Sequence, residues 1–334
     1  MQERTIFEQL ADQIGAGSSR IIPRIFQALA TEDEARLLLA ASPPASAADL
    51  AARCGLSPAA VETMIDPLFR KGLLFKSQKP DGTRYYRVKH ALQFHDSTAV
   101  ATSPAPGMLA LWKEFMDTEW AEFIGNFSQL LPGEVLRVIP VNVSLEPDSR
   151  VLAFEDVKAM IEAARNIAVT KCSCRAIDGA CGQPVDVCIQ IDRAADYGIE
   201  RGTGRKLSKQ EAIDMLRMCE EQGLVHVTEN KQALGMVICN CCSDCCINWT
   251  TIRTGVGKFA APSRFRAEVS GESCSGCELC LDRCFFDALT MNSDANVAQV
   301  HADKCMGCGL CMVVCEPAAI AMKVARPQEF VPVH

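Results

Sequence analysis

The chain has 334 residues, 49% of them hydrophobic and 22% charged, with a formal net charge of −7 and 19 cysteines. This length implies two or three domains with room for a sizeable core, and the acidic balance argues against nucleic acid or an anionic membrane surface as the main partner. No apolar run reaches the roughly 18 residues of a spanning helix, and residues 1–15 carry Glu3, Arg4, Glu8 and Asp12 in place of a signal peptide's apolar segment. A cytoplasmic location with reduced, metal-binding thiolates is therefore expected, and disulfides are not.

Residues 24–93 have a legible order of elements. A helix is expected over 25–41, with Leu37, Leu38 and Leu39 feeding the core. Ser46 caps a second helix that runs to Cys54 and turns at Gly55; Ser57-Pro58 opens a third, with Ser as N-cap and Pro at the first position. Pro67 is expected to interrupt that helix. A hairpin follows, turning at Pro80-Asp81-Gly82 between Leu74-Phe75 and Arg84-Tyr85-Tyr86-Arg87-Val88. This order resembles the winged helix-turn-helix fold. A DNA-reading helix presents Arg, Lys, Asn or Gln to base edges, whereas this one offers Ala59, Ala60, Glu62, Thr63 and Asp66. The wing is basic through Lys76, Lys79, Arg84, Arg87 and Lys89. A docking or dimerisation module is the better reading, with DNA an unfavoured partner. Cys54, alone on an apolar helix, reads as a buried small hydrophobe.

Residues 95–107 read as a linker rich in Ser, Thr, Ala and Pro. Beyond it Leu111, Trp112, Phe115, Met116, Trp120, Phe123, Ile124 and Phe127 recur at helical steps, the pattern of a core stripe or of an aromatic subunit interface.

The middle region carries nine cysteines in two groups: Cys172, Cys174, Cys181 and Cys188, then Cys239, Cys241, Cys242, Cys245 and Cys246. Residues 167–169 read as a strand entering the first group, which would set Cys172 and Cys174 on one face. Ser208 and Glu211 form a capping box for a helix to Glu221, residues 223–227 read as a strand, and Cys219 reads as helix core. Lys171, Arg175, Arg201 and Arg205 are candidates to balance an anionic centre. The Gly202-Thr203-Gly204-Arg205-Lys206 patch lacks the third glycine and the preceding strand of a dinucleotide fingerprint. None of His90, His95, His226, His301 and His334 pairs with a nucleophile. This region resembles iron–sulfur proteins of anaerobes that join a Cys-x-Cys-Arg segment and an Ile-Cys-Asn-Cys-Cys segment to a two-cluster ferredoxin tail. The resemblance implies one or two further [4Fe–4S] clusters. Four thiolates would equally hold structural zinc, while free thiols at this density invite oxidation.

Two cysteine ladders close the chain: Cys274, Cys277, Cys280, Cys284 and Cys305, Cys308, Cys311, Cys315, both C-x2-C-x2-C-x3-C. That spacing wraps three thiolates round one iron–sulfur cube and sends the fourth to its neighbour. Cys274, Cys277, Cys280 and Cys315 are therefore assigned to one cluster, and Cys305, Cys308, Cys311 and Cys284 to the other. Zinc does not explain a third cysteine at the same step. Residues 270–324 resemble the bacterial two-[4Fe–4S] ferredoxin, and the segments beginning at Cys274 and Cys305 align at an offset of 31 residues. Phe285 stands where that family places Pro after the fourth cysteine, and Glu316 precedes Pro317.

The expected architecture is an α+β multidomain chain. It comprises a winged-helix-like domain over 1–100, a linker and aromatic helix over 101–150, a cysteine-rich α/β metal domain over 151–265 and a two-[4Fe–4S] ferredoxin-like domain over 266–334. The function expected is single-electron transfer in anaerobic metabolism, as a subunit of an oxidoreductase with no catalytic group of its own. Its partners would be a ferredoxin, a flavoprotein or a larger oxidoreductase, with a homodimer in reach. The rival readings are a redox-sensing winged-helix regulator and a reductase whose middle cluster binds substrate.

Overall fold

The computed structural model describes residues 4–141, 151–152 and 155–333; Glu3, His334 and the boundary at residue 150 lie outside them. The chain is mixed α and β, with 15 α-helices and 13 strands among the described residues. None of those helices is long and apolar enough to cross a membrane. Two compact units form: Met1–Phe127 with Ser173–Gly179 and Arg201–Thr203, and Ser128–Cys172 with Ala180–Glu200 and Gly204–His334.

In the first unit local chemistry sets the helix boundaries. The helix expected over 25–41 is two, Ile22–Leu29 and Glu32–Ala40, because Thr31 accepts from the Glu34 N–H and Glu34 reaches back to close a capping box. Ala47–Cys54 follows its Ser46 cap and ends at left-handed Gly55. Pro58–Lys71 runs through Pro67, which forgoes one hydrogen bond without breaking the helix. Strands Leu74–Lys79 and Gly82–Arg87 pair across a two-residue turn, and Ala45 bridges to Tyr85 beside them. Arg87 is buried and bonds Gln13 Oε1, so it is not part of the basic surface expected of this hairpin. Cys54 is half-buried, not core.

The expected linker begins too early. Residues 95–99 belong to the helix Ala91–Ala99, where His95 is buried and Thr98 accepts from Trp112 Nε1 at 3.0 Å. The aromatic stripe spans two helices, Met108–Thr118 and Trp120–Gln129. Trp112, Phe115, Trp120 and Ile124 are buried, so this face is core.

The second unit is built on a seven-stranded sheet in the order Gly204–Lys206, Ile167–Thr170, Cys188–Ile191, Val237–Cys241, Val225–Glu229, Leu136–Ile139, Ala260–Ala261. All neighbours are antiparallel except the last pair. Helices Val157–Ala163 and Lys209–Glu221 cover one face through Met160, Ile161, Ala212 and Leu216, which pack on Val169, Ile189, Ile191 and Ile238. Strand alternation then turns Cys188, Cys239 and Cys241 to the opposite face. Cys219 is buried in the helix Lys209–Glu221.

The tail repeats itself at an offset of 31 residues. Strand Phe265–Val269 pairs with Ile320–Val324, and Leu289–Asn292 pairs with Val297–Val300. Helices Leu279–Asp282 and Leu310–Val313 occupy equivalent positions. Left-handed residues fall at equivalent places too: Gly276 and Gly307, Glu278 and Gly309, Asp287 and Ala318. The Ser270 N–H bonds the Ala319 carbonyl as the His301 N–H bonds that of Ala288. An internal twofold relation therefore joins the halves through each other's strands.

Candidate metal centres

The twofold repeat shapes two thiol nests in the tail. Cys274, Cys277, Cys280 and Cys315 line one small pocket walled by Val269, Met291 and Ile320. Cys280 is pushed up by burial, and the neighbouring charges of Cys277, Cys315 and Cys274 add to this. Cys277 is exposed and held below the ordinary thiol value by the Leu279 N–H and the Ser275 side chain. In the second nest Cys308 is pushed up to about 12 by burial, with Cys284 and Cys305 beside it. Cys311 is raised by burial, then by Cys308, Cys284, Cys305 and, from the other nest, Cys280. Each nest therefore draws its fourth sulfur from the other half of the repeat.

The raised thiols Cys280, Cys308 and Cys311 resist ionisation until a cation neutralises them, as metal-binding thiols do. The loop geometry fits a bulky inorganic core as well. Left-handed residues turn successive N–H groups one way, and amides donating to sulfur tune a cluster. Gly307 is required for a second reason: a Cβ there would run into the Phe265 carbonyl and the Ser263 hydroxyl.

The middle cysteines divide. The strand at Ile167–Thr170 ends before Cys172, and Cys174 lies on the helix Ser173–Asp178, so the two share no strand face. The helix containing Cys174 belongs to the first unit. Cys188 opens its strand; since Ile189 pairs with Ile238 and Gln190 with Val237, the next step of that register opposes Cys188 to Cys239. The buried Cys241 thiol is raised by its hydrogen bond with Cys239, by burial and by the charges of Cys239 and Cys172, while a hydrogen bond with Cys246 acts the other way. Cys172, Cys239, Cys241 and Cys246 thus gather at one end of the sheet, with Cys188 next in register.

Cys181, Cys242 and Cys245 form another group with Asp244, their donor atoms all within 4.8 Å of one another. The Cys242–Cys246 loop is fixed by its surroundings. Trp249 Nε1 donates to the Cys242 carbonyl at 3.0 Å, and Arg253 donates to the carbonyls of Ser243 and Cys246 at 2.9 and 3.1 Å.

Several residues that pattern reading passed over stand around these groups. Asn248 Nδ2 donates to Cys241 Sγ at 3.5 Å. Trp249 packs its ring on Phe285 and Phe286, at 5.7 and 5.3 Å between centroids, so an aromatic cluster joins the loop after Cys246 to the residues after Cys284. His226 is fully buried between Asn240 Oδ1 at 2.6 Å and Glu220 Oε1 at 3.3 Å, on the helix-covered face behind Cys239 and Cys241. A lone Asn between cysteines and a lone Trp carry no signal until the register is known.

Two of the cations named from sequence make polar contacts away from the thiols. Arg205 pairs with Glu211 at 3.1 Å, and Arg201 donates to the Ser97 carbonyl at 2.7 Å. Arg175 is buried on the Ser173–Asp178 helix of the first unit, and Lys171 is exposed. Arg283 is placed instead beside the second nest. It donates to the Glu220 and Glu221 carbonyls, and Cys308 is the nearby anion that partly offsets the lowering of its pKa by burial.

Residues 298–321 match the 4Fe–4S binding domain family (Fer4). No curated protein and no solved structure gives a significant match to the chain. The matched segment contains Cys305, Cys308, Cys311 and Cys315. The match supports an iron–sulfur protein with a 4Fe–4S binding segment in its tail.

Proposed function

We propose that the chain is a multicentre electron-transfer protein that passes single electrons between a soluble carrier and a partner oxidoreductase. Cys274, Cys277, Cys280 and Cys315 hold one [4Fe–4S] cluster; Cys284, Cys305, Cys308 and Cys311 hold a second. The observation that carries this reading is the 31-residue repeat of left-handed backbone around two thiol nests, one half of which matches the 4Fe–4S family. A third cluster takes four of Cys172, Cys188, Cys239, Cys241 and Cys246 at the end of the sheet. When bound, a [4Fe–4S] cluster spreads one added electron over iron and sulfide, so little reorganises. The protein's contribution is to bury the thiolates, exclude water and aim N–H donors at sulfur. Trp249, Phe285 and Phe286 fill the space between the middle loop and Cys284 with closely packed rings.

The first unit serves as a cytoplasmic docking or dimerisation module of winged-helix type. Three helices, a hairpin and the Ala45–Tyr85 bridge support that fold. The outer surface of the Pro58–Lys71 helix offers Ala59, Glu62, Thr63 and Asp66, and its Arg70 is paired with Asp66 at 2.8 Å, which favours a protein partner over DNA.

Anaerobic purification with iron and sulfide counting tests the proposal. Taking four irons per cluster, about 8 per chain are expected from the tail alone and about 12 with the third centre, with brown absorbance that bleaches under dithionite. Colourless protein, or iron without sulfide, contradicts it.

A further inference from the structure

The sequence C-N-C-C-S-D-C-C, residues 239–246, contains two adjacent cysteine pairs, and the structure splits each of them. Cys241 turns toward Cys239 and Cys172, and Cys246 hydrogen-bonds with Cys241. Cys242 and Cys245 turn toward Cys181. The division follows from the backbone: Cys241 is the last residue of its strand, so the next side chain points to the other side. Cys242-Ser243-Asp244-Cys245 then forms a C-x2-C knuckle, and Cys181 comes from the loop between the helix Ser173–Asp178 and the strand Cys188–Ile191.

We propose that Cys181, Cys242, Cys245 and the Asp244 carboxylate bind a single divalent cation of the zinc type, distinct from the clusters. The spacing decides between an ion and a cube. One tetrahedral ion with metal–sulfur bonds of about 2.3 Å sets its donors about 3.8 Å apart, and these four donor atoms lie within 4.8 Å of one another. Thiolates on separate irons of a cube stand farther apart, because a metal–metal edge lies between them. Among the described residues no other group of three or more His, Cys, Asp or Glu side chains is drawn this close.

The donor chemistry agrees. Three soft thiolates select zinc-like ions over calcium or magnesium, and a carboxylate is an accepted fourth ligand. Cys242 and Cys245 are buried, Cys181 is half-buried and Asp244 is exposed, so the group is a closed shell with one solvent-facing oxygen. The other Asp244 contact holds the knuckle, its Oδ1 accepting from the Cys245 N–H at 2.9 Å. Burial and the neighbouring Cys181 raise the Cys245 thiol, so metal uptake would expel protons. Trp249 and Arg253 fasten the carbonyls of Cys242, Ser243 and Cys246, the outer support that a structural metal knuckle requires. The bound ion would lock the loop from which Cys241 and Cys246 face their own group.

The test uses the full chain, purified anaerobically, with zinc, iron and sulfide counted on one sample and cobalt(II) added to zinc-stripped protein. About one zinc per chain is expected, together with the intense visible bands of tetrahedral thiolate-bound cobalt. Cys181→Ser and Cys245→Ser should lose the zinc while retaining the iron and sulfide of the tail. Asp244→Ala should keep the fold but shift the cobalt bands and release zinc at least tenfold faster to a chelator. Cys54→Ser should behave as the parent. Zinc absent from the parent, zinc indifferent to Cys181→Ser and Cys245→Ser, or a loss of iron and sulfide in those variants would each overturn the proposal. The tail's iron and sulfide, read separately, report on the electron-transfer reading.

Discussion

Asn248 shows how one side chain can set a centre's behaviour. Its amide donates to Cys241 Sγ, a sulfur otherwise ringed by other thiols. A donor favours the more negative, reduced state, so Asn248→Ala should make the third centre harder to reduce. A hydrogen bond to a charged group contributes about 1.4 kcal/mol or more, equivalent for one electron to a fall on the order of 60 mV. A spectroscopic redox titration of the variant checks this; an unmoved potential would remove Asn248 from the account. Nothing in the sequence marks Asn248, since its role depends on the turn that folds Cys246 to Trp249 back on Cys241. The tail cysteines are different: their spacing is itself the geometry, because a loop of fixed step can present three sulfurs in one way. Asp244 lies between these cases. It stands inside a visible C-x2-C knuckle, yet only the approach of Cys181 completes a four-donor group around it.

At the scale of elements, short-range chemistry was legible and long-range packing was not. Ser46, Ser57 and Ser208 announce their helices through a cap three residues from its partner. The Ser208 cap supports the helix whose Glu220 meets His226 and whose last carbonyls receive Arg283. Ser208→Ala should therefore lower stability by about 1 kcal/mol, the usual cost of removing such a cap, read as an earlier denaturant midpoint. Glu211, bonded by the Ser208 N–H and hydroxyl, has its carboxyl held below the ordinary value. Its contribution is present above the unfolded pKa and disappears as pH falls through the depressed folded one. The parent should therefore lose more stability on acidification than the variant. Equal acid sensitivity would contradict this. The misjudged elements have one cause. The residue classes typical of linkers filled residues 95–99, but Trp112 packs on His95 and donates its indole N–H to the Thr98 hydroxyl, which makes a helix of them. Likewise the strand before Cys172 stops where Ser173 starts a helix, a choice made by tertiary contacts such as Ser173 to Asp96.

For the whole molecule, the cysteine-rich sheet and the ferredoxin-like tail fall within one compact unit. Arg283 seals the end of the Lys209–Glu221 helix, and the buried pair Arg264–Glu155 at 2.5 Å fixes the chain entering the tail. Removing one member of a buried ion pair leaves an uncompensated charge at a cost of about 3–5 kcal/mol, so the Arg264–Glu155 pair firmly anchors the start of the tail. Fixed separations are what electron transfer between buried centres requires. The exchange of fourth cysteines, Cys315 and Cys284, sets the two tail nests side by side, with Cys280 close enough to act on Cys311. The most direct measurement is electron paramagnetic resonance of the fully reduced, anaerobically purified chain. Two spin-coupled [4Fe–4S] clusters should give a complex spectrum that simplifies when either cluster is lost in Cys277→Ala or Cys308→Ala. A parent spectrum of one isolated cluster, unchanged in its line shape by either substitution, would contradict it.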